Sequence, residues 1–330
     1  MKMAILMSDG CASISVSAAL EAFNMANALY CHSRQLDEPL FELFTASPDG
    51  NAVPCTGGLQ LVPEYSLADL PPADLVMVPG YMFNVLRVLP TLDNLYDWLR
   101  RVHAQGSALA SLCTGAFINA EAGLLDGRQA TTHWAFAGQF ARRYPKVQLH
   151  AERTLTEDGH VYCSGGANSG GDLLLHLIRK YGSPQLAADC GKHLLIDGTQ
   201  QTQLPYASAS FKKQHGDGDI LNVQLWLERH LHESIVIEQL AEQFNIGQRH
   251  FIRRFKDATG HTPIHYLQNL RLERARLLLE SSDSAFDQIT LQVGYDDHNS
   301  FRRLFKQRVG LTPSEYRKKF QCLMPLGALQ

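Results

Sequence analysis

Residues 237–266 and 286–316 repeat one another. The first copy passes through Ile237, Leu240, Asn245, Phe251, Arg253, Phe255 and Lys256, and ends on Gly260, Thr262, Pro263 and Tyr266. The second passes through Phe286, Ile289, Gly294, Phe301, Arg303, Phe305 and Lys306, and ends on Gly310, Thr312, Pro313 and Tyr316. Each copy reads as a helix, a turn and a second helix with exposed arginines. That layout delivers side chains into the major groove of duplex DNA. Two copies imply that two neighbouring grooves are read.

In the first copy, Leu240, Phe244, Ile246, Phe251 and Phe255 form one small expected core, and Ala241 is small where two helices cross. Asn245 and Gly294 occupy the two turns, and both residue types tolerate a left-handed backbone. Phe251 and Phe255 face inward at i, i+4, which leaves Gln248, Arg249, Ile252, Arg253 and Lys256 on the other faces. In the second copy Phe301 and Phe305 are the inward pair; His298, Asn299, Arg302, Arg303 and Lys306 are left for bases or phosphates. Arginine grips guanine with two hydrogen bonds, and Asn or Gln does so with adenine. Lys256, Lys306 and one arginine of each adjacent pair are expected on phosphate or in internal ion pairs. Residues 264–280, with Leu267, Leu270, Arg271, Arg274 and Leu278, read as one connecting helix. At ~1.5 Å per residue it spans roughly 25 Å. With the widths of the two modules added, it suits a major groove that recurs about every 34 Å.

A chain of 330 residues exceeds one typical domain. Strand-like runs at 2–7, 40–46, 74–78, 108–112 and 161–163 alternate with helix-like runs at 16–28, 92–103, 135–143 and 172–181, the last beginning near Gly170. This alternation predicts an α/β domain, a doubly wound parallel sheet covered on both faces, over residues 1–197. Residues 198–218 are polar, lack any period and read as a linker. Residues 219–320 read as an all-α domain with two helix-turn-helix modules. Asp219 is expected to cap a helix through Leu231, while Thr262 and Thr312, each followed by proline, are expected to cap two more. Residues 321–330 are expected to form a loose tail.

The net charge of −3 divides unevenly: residues 1–218 carry 15 basic and 20 acidic side chains, −5, and residues 219–330 carry 15 and 13, +2. A basic stripe on one face can bind phosphates despite so small a sum. The seven cysteines are scattered without a Cys-x-x-Cys pair, which argues against zinc and against a disulfide framework and fits a reducing cytoplasm. No apolar run is long enough for a bilayer. The apolar start is closed by Ser8, Asp9 and Gly10, and reads as a first strand rather than a secretion signal.

In residues 108–117 a strand ends, Cys113 occupies the turn and a helix begins; Gly115 permits close backbone approach. A thiol at a helix N-terminus has its thiolate favoured by the macrodipole, and this is the elbow that nucleophiles use above a parallel sheet. His133 and Trp134 follow at a distance that lets them meet Cys113 at the carboxyl edge, where open α/β folds bind ligands. Cys113 reads either as a ligand-lining residue or as a buried inert thiol, and His133 either as a ligand contact or as a hydrogen-bonded core residue. Tyr81, Phe83 and Trp134 suggest an aromatic wall for a cationic ligand.

Residues 219–320 resemble the DNA-binding domain of the AraC/XylS family. Residues 270–279 resemble its linker helix and 293–305 its second-module signature; Gly247 stands where that family usually has a capping serine. Residues 1–197 resemble the class I amidotransferase-like (ThiJ/PfpI) superfamily through Cys113-Thr114-Gly115, residues 122–127 and Thr131 to Trp134. The combination is similar to the GlxA-like subgroup, with regulators of arginine, glycine betaine and carnitine catabolism. The resemblance implies a cytoplasmic regulator of transcription, most often an activator of a catabolic operon. It implies a small effector (an amino acid, betaine or related amine) bound by the first domain, promoter DNA bound by the second, RNA polymerase as a partner, a homodimer and no cofactor. Related enzymes place a carboxylate beside the cysteine; the matching residue here is Ser15. A cysteine-dependent hydrolase, amidase or glyoxalase-like enzyme needs an activating partner, so no enzyme is expected.

Overall fold

The computed structural model describes residues 1–198, 201–209 and 211–321, with no side chains described at 167–169. The expected loose tail, Cys322 included, lies outside the described residues but for Gln321. The chain divides into two compact units at Gln203 and Leu204.

The first unit runs β1 (Lys2–Leu6), α1 (Ser13–Arg34), β2 (Glu42–Ser47), the hairpin β3 (Val53–Pro54) and β4 (Gln60–Leu61), β5 (Tyr65–Ser66) and β6 (Leu75–Val78). It continues through α2 (Val85–Val88), α3 (Asp93–Ala104), β7 (Ala108–Ser111), α4 (Ala116–Glu121), β8 (Gln129–Ala130), α5 (Ala137–Arg143), β9 (Gln148–Leu149), β10 (Leu155–Asp158), β11 (Val161–Ser164), α6 (Ala167–Tyr181) and α7 (Pro184–Leu194). Seven strands form one sheet in the order β10-β11-β7-β6-β1-β2-β5. All pairings are parallel except β10 with β11. Every residue of β6, β7 and β11 is buried, so both faces are covered, as their unbroken apolar runs require. The five strand runs and four helix runs expected from sequence all fall on such elements.

The second unit is helical: α8 (Gly218–His230), α9 (Ile237–Gln243), α10 (Gln248–Thr259), α11 (Pro263–Ser281), α12 (Phe286–Gln292), α13 (His298–Val309) and α14 (Pro313–Phe320). One core gathers Ile220, Leu227, Leu240, Phe251, Phe255 and Tyr266; a second gathers Leu272, Leu279, Ile289, Phe301, Phe305 and Tyr316. The 19-residue α11 supplies both cores, its first half through Leu267 and Leu270 and its second through Ala275 and Leu279. Its length is roughly 28 Å.

Three expectations need correction. Thr262 occupies the N-cap of α11 but its side chain makes no capping hydrogen bond, whereas Thr312 caps α14 as expected. Asp217, not Asp219, caps α8: its side chain accepts from Ile220 N at 3.1 Å. In the described part of the expected linker, residues 201–209 and 211–218, several groups are held on either side of the boundary rather than solvated. Thr202 bridges Arg153, and Gln203 is 3% exposed within the first unit. On the other side, Leu204 O and Ala207 O accept from Arg276, Ala209 N donates to Glu273 at 3.1 Å, and the Phe211 ring meets Tyr266 at 5.0 Å. A polar, aperiodic composition signals a solvated segment. Here the polar groups satisfy buried partners instead.

Candidate functional site

The two reading modules share a scaffold. In each, a seven-residue helix precedes a twelve-residue one, α9 before α10 and α12 before α13. Asn245 (φ 55°) and Gly294 (φ 82°) hold the turns in the left-handed region. Phe251, Phe255, Phe301 and Phe305 are fully buried. The turns differ in length, four residues between α9 and α10 and five between α12 and α13. The caps differ too. Gly247 offers α10 no side-chain cap, whereas Asp297 caps α13 by accepting from Asn299 N at 2.9 Å. A serine in place of Gly247 would gain a few tenths of a kcal/mol.

On α10, Gln248, Arg249, Ile252, Arg253 and Lys256 are all exposed. Gln248 is engaged by Glu238, while Arg249 and Arg253 form no ion pair among the described residues. Arg254 is the internal arginine of its pair, bound to Asp217 and Asp219. On α13, Asn299, Arg302, Arg303 and Lys306 are exposed and His298 is half-buried. Arg302 lies 3.6 Å from Asp287 and over the Phe286 ring, and Arg303 donates to Ser300 Oγ at 3.3 Å. The His298 Nδ1 is buried without a partner among the described residues.

Two arginines of the connecting helix, α11, have a role that the sequence does not show. Arg271 donates to Leu231 O and Glu233 O, both at 2.7 Å, and stacks over Tyr295. Arg276 donates to Leu204 O and Ala207 O. Both are mostly buried, Arg271 at 9% and Arg276 at 7% exposure, so they brace the fold rather than meet a ligand. Helical spacing alone does not distinguish such residues from solvated ones.

In the first unit Cys113 forms the elbow expected after β7, with φ 55°. Gly115 is required there, since a Cβ would lie 2.6 Å from Pro79 O. Around the elbow, Cys113 N donates to Ser164 Oγ at 3.4 Å and Thr132 Oγ1 donates to Cys113 O at 3.1 Å. Ser15 Oγ accepts from Gly80 N at 3.2 Å, and a Cβ on Gly80 would lie 3.2 Å from Cys113 Cβ. Thus Ser15 in the first turn of α1, with Gly80 and Thr132 on two loops, surrounds the elbow.

The thiolate expectation is corrected. Burial pushes the Cys113 thiol up to about 11, against hydrogen bonds from Thr114 that pull it down. The helix behind it, α4, has six residues and follows a 3-10 turn, so desolvation outweighs any dipole effect. Burial also lowers the His133 pKa, which favours the neutral ring, and His133 Nδ1 accepts from Ala135 N at 3.2 Å. Among the described residues no hydrogen bond joins Cys113 to His133. The aromatic wall is different as well. Tyr81 is 1% exposed with its hydroxyl 2.6 Å from Ser8 Oγ, so it belongs to the core. Phe136 takes its place: its ring lies 5.5 Å from Phe83 and 5.9 Å from His133, which is 5.4 Å from Trp134.

Among the described residues no three His, Cys, Asp or Glu side chains converge to hold a metal ion, and no helix is long and apolar enough to cross a membrane.

Residues 1–180 match the DJ-1/PfpI family and residues 240–319 a helix-turn-helix domain. The HTH-type transcriptional regulator CdhR of Pseudomonas aeruginosa is 30% identical over 94% of this chain and 88% of its own. The HTH-type transcriptional regulator GlxA of Rhizobium meliloti is 24% identical over 93% of this chain and 92% of its own. Among solved structures, an AraC family transcriptional regulator from Pseudomonas putida matches 58% of this chain and 98% of its own, at 27% identity and a TM-score of 0.50. The chain therefore belongs to the HTH-type transcriptional regulators, with a DJ-1/PfpI domain followed by an AraC-type helix-turn-helix domain.

Proposed function

We propose that α10 and α13 enter adjacent major grooves of promoter DNA. Gln248, Arg249, Ile252, Arg253 and Lys256 face the DNA from the first module, and His298, Asn299, Arg302, Arg303 and Lys306 from the second. One observation carries this reading: two helices of equal length, each on a buried phenylalanine pair, expose basic side chains at matching positions. The first unit senses a small metabolite (an amino acid, betaine or related amine) at the elbow formed by Cys113, Ser15, His133 and Trp134. Cys113 contributes to this site without catalysing, because its thiol stays protonated and Ser15 supplies no charge to activate it. The protein works in the cytoplasm as a homodimer and activates a catabolic operon through RNA polymerase.

Gel shifts of the full chain against promoter fragments test the DNA reading. Arg253→Ala and Arg303→Ala should each weaken the preferred duplex; wild-type affinity in both variants removes the assignment. A thermal-shift panel of amino acids, betaines and polyamines tests the sensor. A flat panel would favour a first unit that only dimerises.

A further inference from the structure

We propose that Gln203 is a positioning residue that ties the order of the loop 131–134 to the DNA-bound state of the second unit. The inference rests on the DNA-binding reading above. It adds a device that neither the elbow nor the reading helices contain.

The Gln203 side chain is buried and saturated. Its Nε2 lies 2.9 Å from Thr132 O, 2.9 Å from Arg153 O, 3.1 Å from Ala151 O and 3.3 Å from Thr131 Oγ1. Its Oε1 accepts from Trp134 N at 3.2 Å. The two hydrogens of an amide nitrogen cannot fill four acceptors at full strength, so removing the amide strands several buried groups at once. The seat is shaped for this side chain: a Cβ on Gly165 would lie 2.2 Å from Gln203 Nε2. The loop it holds carries Thr132, which donates to Cys113 O, together with His133 and Trp134.

The next residue is anchored elsewhere. Leu204 O accepts from Arg276 Nη2 at 3.1 Å, Ala207 O accepts from Arg276 Nη1, and Ala209 N donates to Glu273. Arg276 and Glu273 pair at 3.2 Å on α11, the helix that contributes to both module cores. Consecutive Cα atoms are about 3.8 Å apart. One peptide bond thus joins Gln203, held by the first unit, to Leu204, held by the second, and it is the shortest covalent path from the loop 131–134 to α11. A change in the loop 131–134 that unseats Gln203 acts on the strap over α11, and a change along α11 acts on the loop. Because coupling free energies are reciprocal, DNA itself serves as the probe and no effector need be identified.

The experiment is hydrogen exchange with mass-spectrometric readout on the full chain, with and without a duplex that it selects from a random-sequence pool. With DNA bound, the amides of residues 129–136 should exchange about fivefold more slowly or less, while those of α3 should not change. Gln203→Ala, and Gly165→Ala, which expels the amide from its seat, should abolish that difference while binding the same duplex within about twofold. If wild-type protein binds DNA and the exchange of 129–136 is unaltered, the coupling is wrong and the DNA-binding reading stands. If no duplex is selected, the DNA-binding reading fails and the coupling with it. A difference that persists in both variants also overturns the role of Gln203.

Discussion

Arg254 and Asp217 form a forked pair, Nε to Oδ2 at 2.5 Å and Nη2 to Oδ1 at 2.8 Å. Asp217 also caps α8, and Asp219 accepts from the same guanidinium at 2.8 Å. One arginine of α10 therefore fastens the first module to the preceding helix. Its neighbour Arg253 points to solvent with no ion pair among the described residues. The matching position in the second module is Leu304, so this brace belongs to the first module alone.

The two neighbours should separate cleanly on mutation. Arg254→Ala should lower the thermal midpoint of the second unit by removing the fork. Arg253→Ala should leave that midpoint in place and weaken the preferred duplex by about 1–3 kcal/mol, the loss usual for a base-reading arginine. Calorimetry and a binding titration on both variants check this. Equal effects on stability and affinity in both variants would contradict the division of labour.

Gly294 answers to two constraints. Its φ of 82° suits glycine, and a Cβ there would lie 2.8 Å from Leu231 O and from His232 O and 2.9 Å from Arg271 Nη2. Gly294→Ala should therefore destabilise the second unit by about 1–3 kcal/mol. Asn245 has φ 55°, and Asn245→Gly should be nearly neutral. Urea denaturation of both variants tells them apart, and a neutral Gly294→Ala would show that the turn relaxes at no cost.

Much of this was legible in advance because the informative signals are local. Buried strands such as β6 and β7 write themselves as apolar runs, and each reading helix is marked by its phenylalanine pair. The cysteine elbow is marked by Cys113, Thr114 and Gly115 in sequence. What escaped depends on partners distant in the chain. Gln203 looks like one polar residue in a polar stretch, yet it fills a seat made by residues 131–165. Arg271 and Arg276 carry no local sign that they are buried. Tyr81 departs from the other aromatics because spacing does not reveal that its hydroxyl turns inward to Ser8. The short strand β10 escaped because its four residues, Leu155 to Asp158, mix apolar and acidic side chains at the sheet edge.

Asp172 gives a pH dependence with an unusual sign. Burial, and then repulsion from Asp197, pushes its carboxyl from 3.8 up to about 6. The folded chain thus holds this proton more tightly than the unfolded chain. The stability it contributes is full below about 3.8 and is lost as pH rises through about 6. Asp172→Asn should stabilise the protein at pH 7 by on the order of 1 kcal/mol, a two-unit shift discounted for a half-exposed group. Near pH 4 the same substitution should do little. Melting curves across that window check it; equal gains at both pH values would rule the assignment out.

For Cys113, a thiol pushed up to about 11 is almost wholly protonated at neutral pH. Among the described cysteines, iodoacetamide at pH 7 should modify the half-exposed Cys31 first and leave Cys113 intact on the native protein. Peptide mapping after a timed pulse reads this directly. Rapid selective labelling of Cys113 would revive the enzyme reading.

The lysines of the reading helices should respond to salt rather than to sequence. Lys256 and Lys306 stand at matching positions in the last turns of α10 and α13, both exposed. A lysine on phosphate releases condensed counterions, so each one removed should reduce the slope of log K against log salt by about 1. The preference for the selected duplex over random DNA should stay the same. Arg303→Ala should behave in the opposite way, relaxing the preference at a base while changing the slope less. The double variant Lys256→Ala/Lys306→Ala should lose about 2 from the slope if both modules engage DNA together. A loss of about 1 would mean that only one module is seated at a time, because a lysine on the unseated module has no counterion to release.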